Sequence, residues 1–166
     1  MAVNTIPYIP KDGQIDLEDG DSPATSMTLE YEDGDLTIGP LRQSNMSVQH
    51  FRDRGIFYSS RSVQEELVDF SFTAHATELS DGTEKLLPDI CRGTGAWASG
   101  VSQLNSDVWA FKMTFTADTS GITGGDSGTI VLDYCVADVT FSEGVPGKFN
   151  ISGQAVLVSS AGVTVT

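Results

Sequence analysis

The sequence predicts a mainly β protein, an antiparallel β-sandwich or barrel-like domain with one short flanking α-helix. Three observations carry that prediction. Several stretches alternate apolar and polar residues with the period of two expected for a strand with one dry and one wet face. Clusters of Gly, Pro and Asp separate those stretches at Asp33-Gly34, Gly39-Pro40, Asp81-Gly82, Gly121–Gly128 and Gly144–Gly147, which is the chemistry of turns. Only one stretch has helical spacing.

Taken in chain order, a short strand is expected at 14–18. Residues 26–32 put Met27, Leu29 and Tyr31 on one face and Thr28, Glu30 and Glu32 on the other, and the strand is expected to run on to Ile38. Residues 63–77 alternate over an unusual length, with Val68, Phe70, Phe72, Ala74 and Ala76 opposed to Asp69, Ser71, Thr73 and His75. Residues 83–92 form the expected helix. Thr83 is its candidate N-cap, Leu86, Leu87 and Ile90 are its apolar stripe, and Gly93 ends it. Pro88 fits that helix only in the first turn, because proline has no N–H to donate further in. At 107–117, Trp109, Phe111, Met113 and Phe115 share a face, and two further strands are expected at 129–142 and 148–158. No internal repeat or low-complexity tract interrupts the series. The segment 39–62 reads as a long inter-strand loop, a length that is usually functional. It carries Phe51, Ile56, Phe57 and Tyr58, apolar groups that suit a partner better than free solvent.

With 166 residues, one domain is the default, and such a chain buries roughly two-thirds of its unfolded surface. Apolar residues make up 39% of the composition, a globular rather than disordered balance. No apolar run approaches the roughly 20 residues that span a bilayer, so no membrane insertion is expected. The N-terminus lacks the basic and apolar regions of a secretory signal, so synthesis in the cytoplasm is the natural expectation. Cys91 and Cys135 have no C-x-x-C spacing and, with His50 and His75, no zinc-ligand pattern. Two reduced, partly buried thiols are favoured over a single disulfide. No metal or cofactor is expected.

The net charge of −14 is unevenly spread. Residues 1–40 hold nine acids against Lys11, a balance of −8. Residues 41–62 reverse the sign, with Arg42, Arg52, Arg54 and Arg61 against Asp53, a balance of +3. The remainder stands at −9. A nucleic-acid reader shows a basic face and a high pI; the pI here is about 4.2, which argues against tight phosphate contact.

Enzymatic constellations fare poorly. Gly125-Asp126-Ser127-Gly128 echoes the nucleophile loop of trypsin-like proteases and Thr73-Ala74-His75-Ala76 their histidine motif, with Asp89 or Asp107 as the orienting carboxylate. The interval from His75 to Ser127 is only 52 residues, too short for two six-stranded barrels. Glu65 and Glu66 are neighbours on a strand and point to opposite faces. Glu30 and Glu32 share a face but have no neighbouring group to tune an acid against a base. The acidic run from Asp16 to Asp21 lacks the D-x-D-x-D-G spacing and distal glutamate of a calcium loop; an acidic turn is the simpler reading.

The order of features resembles the major tail tube proteins of long-tailed (siphovirus) bacteriophages. The resemblance is carried by Lys11-Asp-Gly-Gln-Ile-Asp-Leu-Glu-Asp-Gly20, by Met27-Thr-Leu-Glu-Tyr-Glu-Asp-Gly-Asp-Leu-Thr-Ile38, and by a loop with Asp53-Arg-Gly55 and Arg61. The strand Val68-Asp-Phe-Ser-Phe-Thr-Ala-His75 and the closing Phe141-Ser-Glu-Gly-Val-Pro146 complete it. It covers most of the chain through diffuse patterns rather than one rare motif.

The resemblance implies a single tail-tube domain over 1–166, with residues 1–12 as an N-terminal arm, that assembles into stacked homohexameric rings. The strands at 26–38 and 63–77 would line the lumen, with 107–117 and 128–141 completing it. The segment 39–62 would be the stacking loop, using Arg42, Arg52, Arg54, Arg61, Phe57 and Tyr58. Glu30, Glu32, Glu65 and Asp69 are the expected luminal acids, repelling phosphate over about 8 Å at physiological salt as genomic DNA passes without specific binding. The expected partners are further copies of the chain and other tail proteins (tape measure, terminator, distal tail), in a virion assembled in the host cytoplasm. The alternatives are another tail or secretion-tube component (a terminator, a distal-tail ring, or a tube protein of a contractile tail or type VI secretion system) and a carbohydrate-binding β-sandwich.

Overall fold

The computed structural model describes residues 12–29, 35–39, 46–52, 58–65, 67–76, 86–104, 107–118, 128–155 and 163–165. They form strands β1 (Asp12–Glu18), β2 (Ser26–Leu29), β3 (Thr37–Gly39), β4 (Met46–Arg52), β5 (Tyr58–Glu65) and β6 (Val68–His75), then helix α1 (Leu87–Arg92) and a 3₁₀ turn at Gly95–Trp97. Strands β7 (Phe111–Asp118), β8 (Gly128–Ser142), β9 (Lys148–Ala155) and β10 (Val163–Val165) follow. The protein is therefore mainly β with one short helix. Seven strands run in the order β2-β1-β7-β8-β9-β6-β3, β10 adds to β8 to make an eight-stranded sheet, and β4 with β5 makes a separate two-stranded one. The pairings are antiparallel.

β8 is the spine of the large sheet. Its first half pairs with β7, from Ala117 opposite Gly128 to Phe111 opposite Cys135. Its second half pairs with β9, from Ala155 opposite Cys135 to Lys148 opposite Ser142. The apolar positions of neighbouring strands fall in register. Ile15 faces Phe115 and Leu17 faces Met113, while Val68, Phe70 and Phe72 stand opposite Ala155, Gly153 and Ile151. Gly153 aside, these residues belong to one continuous core, which Leu87, Ile90, Cys91 and Trp97 of the helical segment join. Buried residues alternate with exposed ones along β6, as its sequence predicts.

That register depends on one irregularity. In β8, Leu132 and Cys135 both face the core although they are three residues apart, which strict alternation forbids. The ladder shifts between β7 and β8 at this point, and Tyr134 takes a left-handed conformation with φ of 58°. A bulged residue resets the parity, so that Leu132 before it and Cys135 and Ala137 after it are all buried. The side chain of Gln103 accepts the Tyr134 N–H at 3.4 Å. A second adjustment is Gly153, where a Cβ would stand 2.6 Å from Phe70 Cζ and would also meet the Val136 carbonyl oxygen. The ring of Phe70 fills the place a side chain would take.

Three sequence expectations are corrected. The strand predicted over 26–38 divides into β2 and β3, which lie at opposite ends of the seven-strand order. The Asp35 carboxylate accepts the Thr73 N–H at 3.1 Å rather than extending a ladder, and the Asp33-Gly34 pair before it lies outside the described residues. The strand predicted from 63 begins earlier and divides at Leu67 into β5 and β6, so much of the predicted 39–62 loop is a hairpin with a bulge between Ser47 and Val48. The helix is shorter than 83–92: it starts after Leu86, which makes no side-chain cap, and Thr83 lies outside the described residues. That start leaves Pro88 in the first turn, where it removes no helical hydrogen bond. Gly93 closes the helix in the left-handed conformation, φ 62°, as expected.

Cys91 and Cys135 are both free and buried, as the sequence favours. Gly153→Ala should cost about 1–3 kcal/mol, since the added methyl forces the backbone of β8 or the Phe70 ring to move. Urea denaturation of the two proteins measures the difference, and an unchanged midpoint would contradict the packing at this position.

Candidate functional site

The face of the sheet turned away from the core is polar and concave over β3, β6, β9 and β8. Register places Thr37, Ser71, Ser152 and Asp138 in one row across the four strands, and Asp69, Gln154 and Val136 in the next. Together with Leu67, Gly39, Phe70, Ala137 and Gly153 these line a groove of about 780 Å³. Its floor is apolar and its only ionisable groups are acidic. Gln154 Nε2 donates to Asp69 Oδ1 at 2.8 Å; no described residue bonds the other oxygen of Asp69 or pairs with Asp138. Leu67, 37% exposed, forms one lip.

Beyond the groove the polar face is knitted by its own groups. Asn150 Nδ2 donates to Ser142 Oγ at 2.8 Å, Thr73 Oγ1 donates to Asn150 Oδ1 at 3.4 Å, and Thr140 Oγ1 donates to the Asn150 carbonyl at 3.4 Å. On β1 and β2, Thr28 Oγ1 and Gln14 Nε2 donate to Asp16, while Lys112 meets Glu18 at 2.9 Å. Such exposed pairs contribute at most about 1 kcal/mol each. These groups bond one another across the strands.

The enzymatic constellations do not assemble among the described residues. His75 is exposed on β6, and Asp89 sits in the first turn of α1, where it accepts the Thr94 hydroxyl at 3.0 Å. Ser127, Glu66 and Glu30 lie outside the described residues. The acidic run around residue 19 is a turn. Asp19 is 2% exposed, its Oδ1 accepts the N–H groups of Asp21 at 3.1 Å and Thr25 at 2.8 Å, and its N–H donates to the Thr25 carbonyl. Among the described residues no group of three or more His, Cys, Asp or Glu could hold a metal ion, and no helix is long and apolar enough to cross a membrane.

Of the expected luminal and stacking residues, Glu30, Glu32, Arg42, Arg54 and Phe57 lie outside the described residues. Arg52, opposite Tyr58, and Arg61, opposite Gln49, lie on the β4–β5 hairpin, as does Glu65, opposite Met46. Asp69 lies on β6 of the large sheet, exposed. The structure thus puts Glu65 and Asp69 in different sheets. Sequence reasoning missed Asp138, Ser152 and Gln154 as neighbours of Asp69; their polar alternation along β8 and β9 was visible, but not the pairing that brings three distant strands together.

No family model matches the chain, and no curated protein matches it. A solved structure does. The sheath/tube terminator of an extracellular contractile injection system, PVC, in its extended state, is similar with a TM-score of 0.60 over 99% of each chain. The identity is 10%, so the likeness is one of fold, and it spans both chains from end to end.

Two predictions follow from this geometry. Asp19→Ala leaves two turn N–H groups without their acceptor and should destabilise the protein by about 1–3 kcal/mol, whereas Asp69→Ala, on the exposed face, should change thermal stability by about 0.5 kcal/mol or less. The thiols give a pH dependence. Burial, with a smaller contribution from Asp138, pushes Cys91 up to about 12 from 9.0, and burial also raises Cys135. The unfolded thiols ionise first, so the folded state holds more protons above pH 9 and stability should fall as pH rises from about 9 towards 12. The urea midpoint of Cys91→Ala/Cys135→Ala should lose less over that window.

Proposed function

We propose that the chain is a non-enzymatic, ring-forming structural subunit of a phage-like tail or injection tube, acting as a terminator at the end of the tube. The observation that carries this is the end-to-end fold likeness to a sheath/tube terminator. The physical character of the molecule supports it. A sheet with one apolar and one polar face, no assembled catalytic group among the described residues and a net charge of −14 suits a wall or cap past which a polyanion moves without adhering. Blocks of opposite charge, −8 over residues 1–40 and +3 over 41–62, suit head-to-tail contacts between copies, which close into rings when the rotation permits. Its partners in this role are further copies, the tube beneath and other tail proteins, and its location is the assembled particle.

A second reading, the repeating subunit of the tube itself, is favoured by the siphovirus-like sequence motifs and by the arginine-bearing hairpin. Both readings require self-association. Electron microscopy of the concentrated pure protein separates them: discrete single or double rings are expected of a terminator, and open-ended tubes of a repeating subunit. A chain that stays monomeric at millimolar concentration and does not bind tube ends would defeat both.

A further inference from the structure

Asp19, in the turn between β1 and β2, is 2% exposed, and its two carboxylate oxygens have different surroundings. Oδ1 accepts the N–H groups of Asp21 and Thr25. Oδ2 is buried and, among the described residues, has no hydrogen-bond partner. Lys112, opposite Glu18 in the β1–β7 ladder, pairs with Glu18 and not with Asp19. A buried carboxylate with an unmet oxygen is unfavourable unless something supplies the missing contact. Oδ2 is turned towards the 97–102 segment, which the turn touches with no side chain between. A Cβ on Gly100 would stand 2.7 Å from Oδ2 and 3.1 Å from the Trp97 carbonyl oxygen. A Cβ on Gly20 would stand 2.9 Å from the carbonyl oxygens of both Val101 and Ser102. One carboxylate and three main-chain oxygens are therefore gathered where the turn meets this segment. The Trp97 and Val101 carbonyls each accept one N–H, from Gly100 at 2.9 Å and Gly20 at 2.6 Å, and a carbonyl has a second lone pair. Asp21, partly exposed two residues on, adds further negative charge.

We propose that Asp19 Oδ2 is the anionic ligand of a calcium site between the β1–β2 turn and the 97–102 segment, completed by main-chain carbonyls and water. The donors are all hard oxygens. Calcium accepts about six to eight of them in irregular geometry, main-chain carbonyls included, whereas magnesium demands a near-octahedral shell and zinc favours nitrogen and sulfur. With a single buried carboxylate the site is a weak one, with a dissociation constant on the order of 1 mM. The ion ties β1 and β2, at one end of the strand order, to the segment that follows α1, and it offsets the charge buried in the turn. The site is independent of ring formation, so a monomeric chain tests it equally.

Thermal melts in calcium and in magnesium test the site. At that affinity, about 5 mM calcium should raise the melting temperature by about 2–4 °C, and the same concentration of magnesium by less than half as much. Asp19→Asn keeps an oxygen for the Asp21 and Thr25 N–H groups but removes the charge, so its melt should not respond to calcium. Asp69→Asn, on the opposite face of the sheet from the core, should respond as the wild type does. A full calcium response in Asp19→Asn would assign the effect to the remaining acids and overturn the proposal. A wild-type melt indifferent to calcium would overturn it as well, and leave Oδ2 to an ordered water. Terbium, which occupies calcium sites and is excited through nearby tryptophan, gives a reading that depends on no variant's folding. Trp109 Cη2 lies 3.2 Å from the same Cβ position on Gly100, so the wild type should show tryptophan-sensitised terbium emission that excess calcium removes. No such emission, or emission that calcium leaves unchanged, would overturn the site.

Discussion

One constraint organises the molecule: every strand of the large sheet must present its apolar residues to the same side. A sheet of this size has a single core to share, and a strand that slipped by one residue would turn its whole apolar set to water. β8 meets the constraint twice, against β7 along its first half and β9 along its second. The bulge at Tyr134 is what lets one strand serve both neighbours. Without the extra residue, either Leu132 or the pair Cys135 and Ala137 would face outward. The left-handed backbone of a bulky residue is unfavourable on its own, and it persists because the packing on both sides demands it.

The same one-sidedness explains the polar face. Once the core claims the apolar residues of β3, β6, β8 and β9, the hydroxyl, amide and carboxylate groups between them must line up across strands. A groove bounded by Asp69, Asp138, Ser152 and Gln154 follows from register alone. On the core side of the same strands, the ring of Phe70 fills the place that Gly153 leaves.

Much of the fold was legible from periodicity. The buried set of β6, the apolar face of β7, the extents of β8 and β9 and the left-handed stop at Gly93 follow from alternation and turn chemistry. What was not legible has physical causes. A bulge changes parity within an unbroken run of strand-forming residues, so Leu132 and Cys135 cannot both be placed inside by counting. The division between β2 and β3 is decided by which neighbours each finds, β1 for one and β6 for the other, and those neighbours are remote in sequence. The hairpin was read as a loop because Ser47, Gln49, Ser59, Ser60 and Ser62 dilute its pattern. The groove was illegible for the same reason as the strand division: Asp69 and Gln154 are 85 residues apart, and only pairing joins them.

The pairing of β1 with β7 has a kinetic side. Glu18 and Lys112, opposite one another in that ladder, are separated by 94 residues, and high contact order slows folding because a large loop must close before the contact stabilises anything. At roughly 5–20 residues per second of synthesis, the first strand leaves the ribosome on the order of 5–20 seconds before its partner exists. The nine acids of the first 40 residues give every nascent copy the same sign of charge in that interval, and like charges oppose the edge-to-edge pairing that an unpaired strand invites.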